Sequence, residues 1–387
     1  MTDALRPLGD IVVMSSGKSI VPGGVGRYPV YGSNGLIGGA NEYLFEAGCI
    51  LGRVGAYCGS VELSLGPFWA SDNTIVVLAR DPQSTSLRFL YYALKAADLN
   101  KYAGGAAQPL LTQRDLRPVA VYHPAFTTQR KIAAILSAYD DLIENNSRRI
   151  KFLEEIVRRV YREWLVDFRY PGHESVQLVS SELGQIPRGW RCEPLRELAE
   201  EMRASVDPES VDSDTPYVGL EHMHERSIAI ADWGMASDAG SRKYLFLKGD
   251  VLFGKIRPYF HKVVVPPVDG ICSTDAIVIR SRDPGVAGLV LAVVSSDPFV
   301  QEAVQTSQGT KMPRANWTVL ERYLVAVPPT PLLGTFEALI TDTVALIHCL
   351  VMSNRNLRAT RDLLLPRLIS GEVDVTHLDI AMPEAAA

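Results

Sequence analysis

The sequence predicts an α+β fold: two similar domains in tandem, separated by two long helices that form an antiparallel coiled coil. Three observations carry this expectation. Alternating four- and three-residue steps from Ile132 select Ile132, Leu136, Tyr139, Ile143, Asn146, Ile150, Leu153, Val157, Val160 and Trp164, of which nine of ten are apolar. The same steps from Phe336 select Phe336, Ile340, Thr343, Ile347, Leu350, Asn354, Leu357, Arg361, Leu364 and Leu368, of which seven of ten are apolar. Finally, landmarks of the first 128 residues recur in the same order about 202 to 204 positions later. A period near 3.5 residues, kept over more than four heptads, holds one narrow stripe toward a partner helix.

In chain order, residues 1–128 read as a first domain of short strands and turns. Glycines at 23, 24, 26, 32, 35, 38 and 39 punctuate short apolar runs. Residues 49–54 and 74–78 read as strands, residues 87–98 as a helix with Phe89, Leu90 and Leu94 on one side, and residues 118–122 as a last strand. The central helix follows within 129–170, its uninterrupted pattern running over 129–168, and Pro171 and Gly172 end it. At 1.5 Å per residue it spans roughly 50 Å, too long for one small domain to cover.

The pattern then restarts over residues 171–335. Gly48, Ile50, Leu51, Gly52, Arg53 and Tyr57 are echoed by Gly249, Val251, Leu252, Gly254, Lys255 and Tyr259, and Ser71 with its apolar run by Ser273 with its own. The loop at Ala107, Gln108 and Pro109 matches Lys311, Met312 and Pro313. Small insertions in a duplicated domain produce such a slowly drifting offset. The second long helix occupies 336–372, with Pro366 expected to kink or end it before Gly371 closes it, and 373–387 form a tail. Asn146 and Asn354 lie near the middle of their seams. A pair between them suits antiparallel helices and penalises shifted registers, and solvation at a helix edge is the other reading.

Composition narrows the function classes. Hydrophobic content of 47%, charged content of 21% and a mean hydropathy of +0.05 are ordinary for a soluble protein. The longest unbroken apolar runs, such as 289–294, fall far short of the ~20 residues that span a bilayer, so no membrane association is expected. The first residues include Asp3 and Asp10 and show no apolar export segment; a cytoplasmic location is the expectation. The five scattered cysteines read as reduced, buried thiols. Net charge is −5, and no region is a basic arm: residues 1–128 carry 10 Lys+Arg against 9 Asp+Glu, and 171–335 carry 16 against 21. A nucleic-acid ligand therefore requires charge concentrated on one face or supplied by partners.

Catalytic constellations are weak. Ser16, Gly17, Lys18 and Ser19 resemble the end of a phosphate-binding loop, yet Val12 stands where its first glycine belongs. Residues 265–267 and 327–329 carry valine where an amino-methyltransferase tetrad needs a polar residue. His222 and His224 lack partners at structural-metal spacing, and Asp140, Asp141 and Glu144 read as a solvated helix face. No catalytic residue and no metal ligand is expected.

Several stretches taken together resemble the specificity subunit of type I restriction-modification systems. They are 152–172 (FLEEIVRRVYREWLVDFRYPG), 363–372 (LLLPRLISGE), 28–35 (YPVYGSNG), 52–61 (GRVGAYCGSV), 68–73 (FWASDN) and 105–110 (GAAQPL). The resemblance implies a non-catalytic subunit with two target-recognition domains, each reading one half of a bipartite duplex DNA site. It implies that the coiled coil sets the spacer and docks two modification (methyltransferase) subunits, with restriction/translocase subunits as further partners. No cofactor is expected in this chain, while S-adenosylmethionine, ATP and magnesium are expected in the partner subunits. The second module departs from the pattern, lacking sequence counterparts of 28–35 and of Phe68 and Trp69.

On this reading Arg53, and Lys255 with Arg257, place cations beside glycines where backbone can approach DNA. Arg suits a bidentate contact with guanine and Lys more often holds phosphate, although a structural ion pair also accounts for them. Gln108, Thr310 and Lys311 sit in small-residue loops that either read base edges or cap a turn. Tyr57 and Tyr259 either stack on DNA or pack in a core. The run Arg148, Arg149, Lys151, Arg158, Arg159 and Arg162 faces spacer phosphates, pairs along its own helix, or meets a partner. The alternative from another class is a coiled-coil scaffold joining two protein-binding modules without DNA readout.

Overall fold

The structure, a computed structural model, describes residues 5–21, 23–105, 109–309 and 311–381. The chain divides into two compact units: unit 1 is 1–142 with 357–387, and unit 2 is 143–356.

In unit 1 the strands Val12–Ser16, Thr74–Ala79, Gly48–Gly52 and Val61–Ser64 form an antiparallel sheet in that spatial order. Both faces of its middle strands are covered. Cys49, Leu51, Ile75 and Val77 pack with Leu90, Leu94 and Leu116, while Ile50 and Val76 pack with Phe68 and Ala70. This is the period-two alternation of a strand buried on both sides. A second small sheet joins Gly35–Ala40, Tyr28–Gly32 and Trp69–Ala70, the last pairing in parallel. Helix Leu87–Ala96 is N-capped by the Ser86 hydroxyl, which accepts from the Phe89 N–H. It is two-faced: Leu90 and Leu94 turn to the sheet, and Phe89, Tyr92 and Ala93 turn to Ile132, Leu136 and Leu368 of the long helices.

Unit 2 repeats the plan. Ala199–Met202, Ala276–Ser281, Val251–Gly254 and Val263–Val264 form the antiparallel sheet, and Pro216–Val218 pairs in parallel with Gly270–Cys272. The last pairing corrects the expectation that the second module lacks counterparts of 28–35 and 68–69. The strands are present, and their register aligns Pro216, Tyr217, Val218 and Gly219 with Pro29, Val30, Tyr31 and Gly32, a shared proline and glycine around two residues that differ. Helix Ala287–Val294 accounts for the apolar run 289–294, each residue of which is buried. Asp250 is buried and accepts from Arg280 Nε and Nη2, both at 2.7 Å, locking the sheet with a two-pronged ion pair.

The central helix spans Phe126–Tyr161, then widens into a π-helical turn, Arg162–Val166. The expected α-helix over 129–168 therefore stops early. The wider turn carries both Trp164 and Leu165 into the unit 2 core, and Phe168 and Gly172, with φ of 56° and 87°, turn the chain away. The second long helix spans Thr330–Ile369 and passes through Pro366. Proline neither ends nor breaks it because the one lost N–H lies in the exposed last turn, where water can satisfy the freed carbonyl. Gly371, at φ 77°, then closes it.

Every seam position counted from Ile132 and from Phe336 is buried or half-buried. Within unit 2, Trp164 meets Phe336 and Asn146 meets Asn354, so the helices run antiparallel. Within unit 1 the same sense holds, with Asp140 accepting from Arg361 Nη1 at 2.6 Å. Asp140 also accepts from the Tyr92 hydroxyl at 2.7 Å, so it is a packed link and not a solvated face.

Thr330–Ile369 is long and apolar enough by composition to cross a membrane, which a count of unbroken apolar residues passes over because Glu337 and Asp342 interrupt the run. Phe336, Ile340, Ile347 and Val351 of this helix are nevertheless buried in the unit 2 core. The Glu337 carboxylate accepts from the Gly288 and Leu289 N–H groups at 2.7 Å. Burial pushes its pKa up and those two donors oppose the shift.

Asn146 Nδ2 donates to Asn354 Oδ1 at 3.0 Å, and Asn354 Nδ2 donates to the Ile143 carbonyl and the Ser147 hydroxyl. Asn146→Leu leaves the buried Asn354 oxygen without this donor, an expected loss of about 1–3 kcal/mol. The double variant Asn146→Leu with Asn354→Leu is expected to recover most of it. Denaturant unfolding of the four species of this cycle measures the coupling, and additive losses would refute the pairing energy.

Candidate nucleic-acid interface

Arg53, Lys255 and Arg257, three of the candidate DNA-binding residues, sit on one backbone frame, built twice. In unit 1 the Arg53 N–H donates to the Asn73 carbonyl (3.0 Å), the Leu111 N–H to the Arg53 carbonyl (2.9 Å) and the Gly55 N–H to the Pro109 carbonyl (3.1 Å). In unit 2 the Lys255 N–H donates to the Asp275 carbonyl (2.9 Å), the Ala315 N–H to the Lys255 carbonyl (2.8 Å) and the Arg257 N–H to the Pro313 carbonyl (2.8 Å). Val54 pairs with Leu110 as Ile256 pairs with Arg314. Leu110 also pairs with Gly104, and Arg314 with Gln308, pinching off equivalent loops. Gly105 and Gly309, at φ 90° and 102°, make the turn each loop requires.

Each frame brings a strand-end cation beside a loop. Gln108 and Thr310 lie outside the described residues, but Pro109 and Lys311 are described, and Lys311 is exposed. Tyr57 and Tyr259 are 59% and 53% exposed, which removes core packing as their account. Arg53 is half-buried, and its Nε has no acceptor among the described residues. Lys255 is half-buried and Arg257 exposed, and neither joins an ion pair among the described residues.

A residue not singled out from sequence completes the first frame. The Ser33 hydroxyl donates to the Asn73 carbonyl at 2.6 Å and accepts from the Arg53 and Val54 N–H groups at 3.3 and 3.4 Å. The Ser33 carbonyl accepts from the Ser60 hydroxyl at 2.8 Å, and in unit 2 the Leu220 carbonyl accepts from Lys262 Nζ at 2.7 Å. The sequence signal for Ser33 is its place in the 28–35 stretch, without which one serine among many carries no mark.

Other candidates resolve differently. Among the described residues no helix follows Ser16 to Ser19, so the phosphate-loop resemblance has no structural counterpart there. His222 Nδ1 lies 3.0 Å from the Gly219 nitrogen as an acceptor, and no cluster of His, Cys, Asp or Glu suited to a metal occurs among the described residues. Cys49, Cys58 and Cys272 are buried, whereas Cys192 is half-buried and Cys349 exposed. In the basic run, Arg148 pairs with Glu144 and Arg158 with Glu155, so part of its charge is neutralised along the helix.

Residues 5–155 match the family model described as the type I restriction modification DNA specificity domain. Over 354 residues the chain is 24% identical to the MjaIX type I restriction enzyme specificity subunit of Methanocaldococcus jannaschii, covering 87% of this chain and 80% of that protein. It is 22% identical over 352 residues to the EcoDI specificity subunit of Escherichia coli, covering 84% and 77%. The crystal structure of a type I restriction-modification S subunit from M. genitalium shares the fold, with a TM-score of 0.63, 16% identity and 96% of each chain covered. The chain is therefore similar, over most of its length, to specificity subunits of type I restriction-modification systems, and its residues 5–155 match their DNA specificity domain.

Proposed function

We propose that this chain is the non-catalytic DNA-recognition subunit of a restriction-modification complex. Residues 1–128 and 171–335 act as two target-recognition domains, each reading half of a bipartite duplex site. The observation that carries the reading is the twice-built frame, which presents Arg53 in one unit and Lys255 with Arg257 in the other beside equivalent loops. Arg53, Tyr57 and Gln108 read the first half-site; Lys255, Arg257, Tyr259, Thr310 and Lys311 read or hold the second. Asn146 and Asn354 fix the register of the helix pair.

Two modification subunits dock on the long helices. Phe152, Leu346 and Leu363 support this role, being 71%, 56% and 68% exposed on helices whose other face is buried. Large exposed apolar side chains on a packed helix favour a protein partner over solvent. S-adenosylmethionine, ATP and magnesium belong to the modification and restriction subunits, and the complex works in the cytoplasm.

Incubating the chain, alone and with its modification subunit, with S-adenosylmethionine and genomic DNA tests the assignment. Methyl transfer is expected only with the partner present, and methylation by the chain alone would overturn it. A gel shift of random duplex with the partnered chain separates DNA reading from a DNA-free scaffold, for which no shift is the outcome.

A further inference from the structure

One serine grips both ends of the loop that carries Arg53 and Tyr57. At the near end the Ser33 hydroxyl accepts from the Arg53 and Val54 N–H groups and donates to the Asn73 carbonyl, which ties the strand end to the turn beside it. At the far end the Ser33 carbonyl accepts from the Ser60 hydroxyl. The loop is also closed on itself, by the Gly52 N–H on the Ser60 carbonyl at 2.9 Å and the Gly59 N–H on the Gly52 carbonyl at 2.8 Å. Ser33 is itself well anchored, because it follows Tyr28–Gly32, the strand that pairs on both sides in the small sheet.

Gly52 adds an independent observation. A Cβ at this position would press on the Tyr57 carbonyl, the Ser60 hydroxyl and the Ser33 carbonyl, the last at 2.7 Å. No side chain fits there while both grips are closed. Around Gly254, the counterpart in unit 2, the same atom would meet its neighbours at 3.1 to 3.4 Å, a looser fit. Leu220 takes the place of Ser33 in unit 2. Its carbonyl accepts from Lys262 Nζ, but leucine has no hydroxyl to offer the strand end, so the second module keeps one grip of the two.

We infer that Ser33 is a positioning residue for the first half-site, holding the 53–60 loop as one rigid piece so that Arg53 meets its base in a fixed direction. This rests on the DNA-reading assignment above. A two-pronged contact with a base edge depends on direction, and the guanidinium of Arg53 leaves from a backbone that Ser33 bonds at its N–H. The role is confined to unit 1, since Leu220 cannot supply it.

The test uses the full chain with its modification subunit, mapping methylated sites in a host and then comparing methylation of the mapped duplex with one altered at the position that Arg53 reads. Ser33→Ala removes the hydroxyl and leaves the carbonyl grip on Ser60. Preference at that position is expected to fall about tenfold, within the roughly 5- to 150-fold that a bidentate arginine supplies, while the second half-site stays as in wild type. Ser33→Thr keeps a hydroxyl and is expected to keep the motif. Adding Ser33→Ala to Arg53→Ala should cost nothing further at that position, because the serine acts through the arginine. An unchanged first half-site in Ser33→Ala, an equal loss in both half-sites, or additive losses in the double variant would each overturn the positioning role while leaving DNA recognition intact. A wild-type complex that methylates without sequence preference would overturn the parent assignment and this one with it.

Discussion

Glu154→Ala is expected to destabilise unit 2 by about 3 kcal/mol or more, the largest stability loss of any single change considered. Glu154 is 4% exposed, and one oxygen, Oε1, accepts from the Ser227 hydroxyl at 2.6 Å and from the Ile228 and Ala229 N–H groups at 2.9 and 3.0 Å. Truncation orphans two backbone donors in a buried site, where an unmade hydrogen bond costs about 1–3 kcal/mol each before relaxation, while the Ser227 hydroxyl can still donate to the Ala229 carbonyl at 3.1 Å. Glu154→Gln retains an oxygen at the position where all three converge, so its loss should be less than half as large. Urea unfolding followed by tryptophan fluorescence reports on unit 2 through Trp190, Trp233 and Trp317, all buried there. Equal midpoints for Glu154→Ala and wild type would show that the contact stabilises nothing.

Glu154 also shows where sequence reading stops. In the basic run it is one acid among several, and nothing in the spacing says that it faces inward while Glu155 pairs with Arg158 at the surface. The seams were legible because apolar residues at a regular period have one way to be buried on a helix. The strands around Ile50 and Ile75 and the helix after Ser86 were legible for the same reason, with a capping serine added. What sequence could not supply were contacts made by backbone. Tyr28–Gly32 and Pro216–Val218 hold the same place in the two modules through parallel pairing, and the proline and glycine they share, Pro29 and Gly32 against Pro216 and Gly219, are too common to mark the match before the pairing is known. Ser33 acts through one hydroxyl on two N–H groups, a role any serine could have. Pro366 lies inside the helix because the penalty for a helical proline depends on how near it lies to the end and on access to water, neither of which the sequence shows. The equivalence of Leu110 and Arg314 emerges only when the repeat is aligned on its hydrogen bonds.

Arg53→Ala in the complete complex is expected to erase specificity at one position of one half-site while leaving the other half-site unchanged. A bidentate arginine contact contributes about 1–3 kcal/mol of base discrimination, roughly a 5- to 150-fold preference. Loss of folding should not obscure the result. The frame uses only the Arg53 backbone N–H and carbonyl, and the side chain carries a buried Nε with no acceptor among the described residues. Removing an unsatisfied donor relieves a cost, so stability should stay within about 0.5 kcal/mol of wild type or rise. Arg53→Lys separates the two roles a cation could play here. A phosphate contact tolerates lysine, whereas a planar two-pronged contact with a base does not. Mapping methylated sites in a host carrying wild type, Arg53→Ala or Arg53→Lys reads this directly. Both variants should yield a motif degenerate at one position. An unchanged motif in Arg53→Ala would remove Arg53 from base readout, and rescue by lysine would reassign it to the backbone.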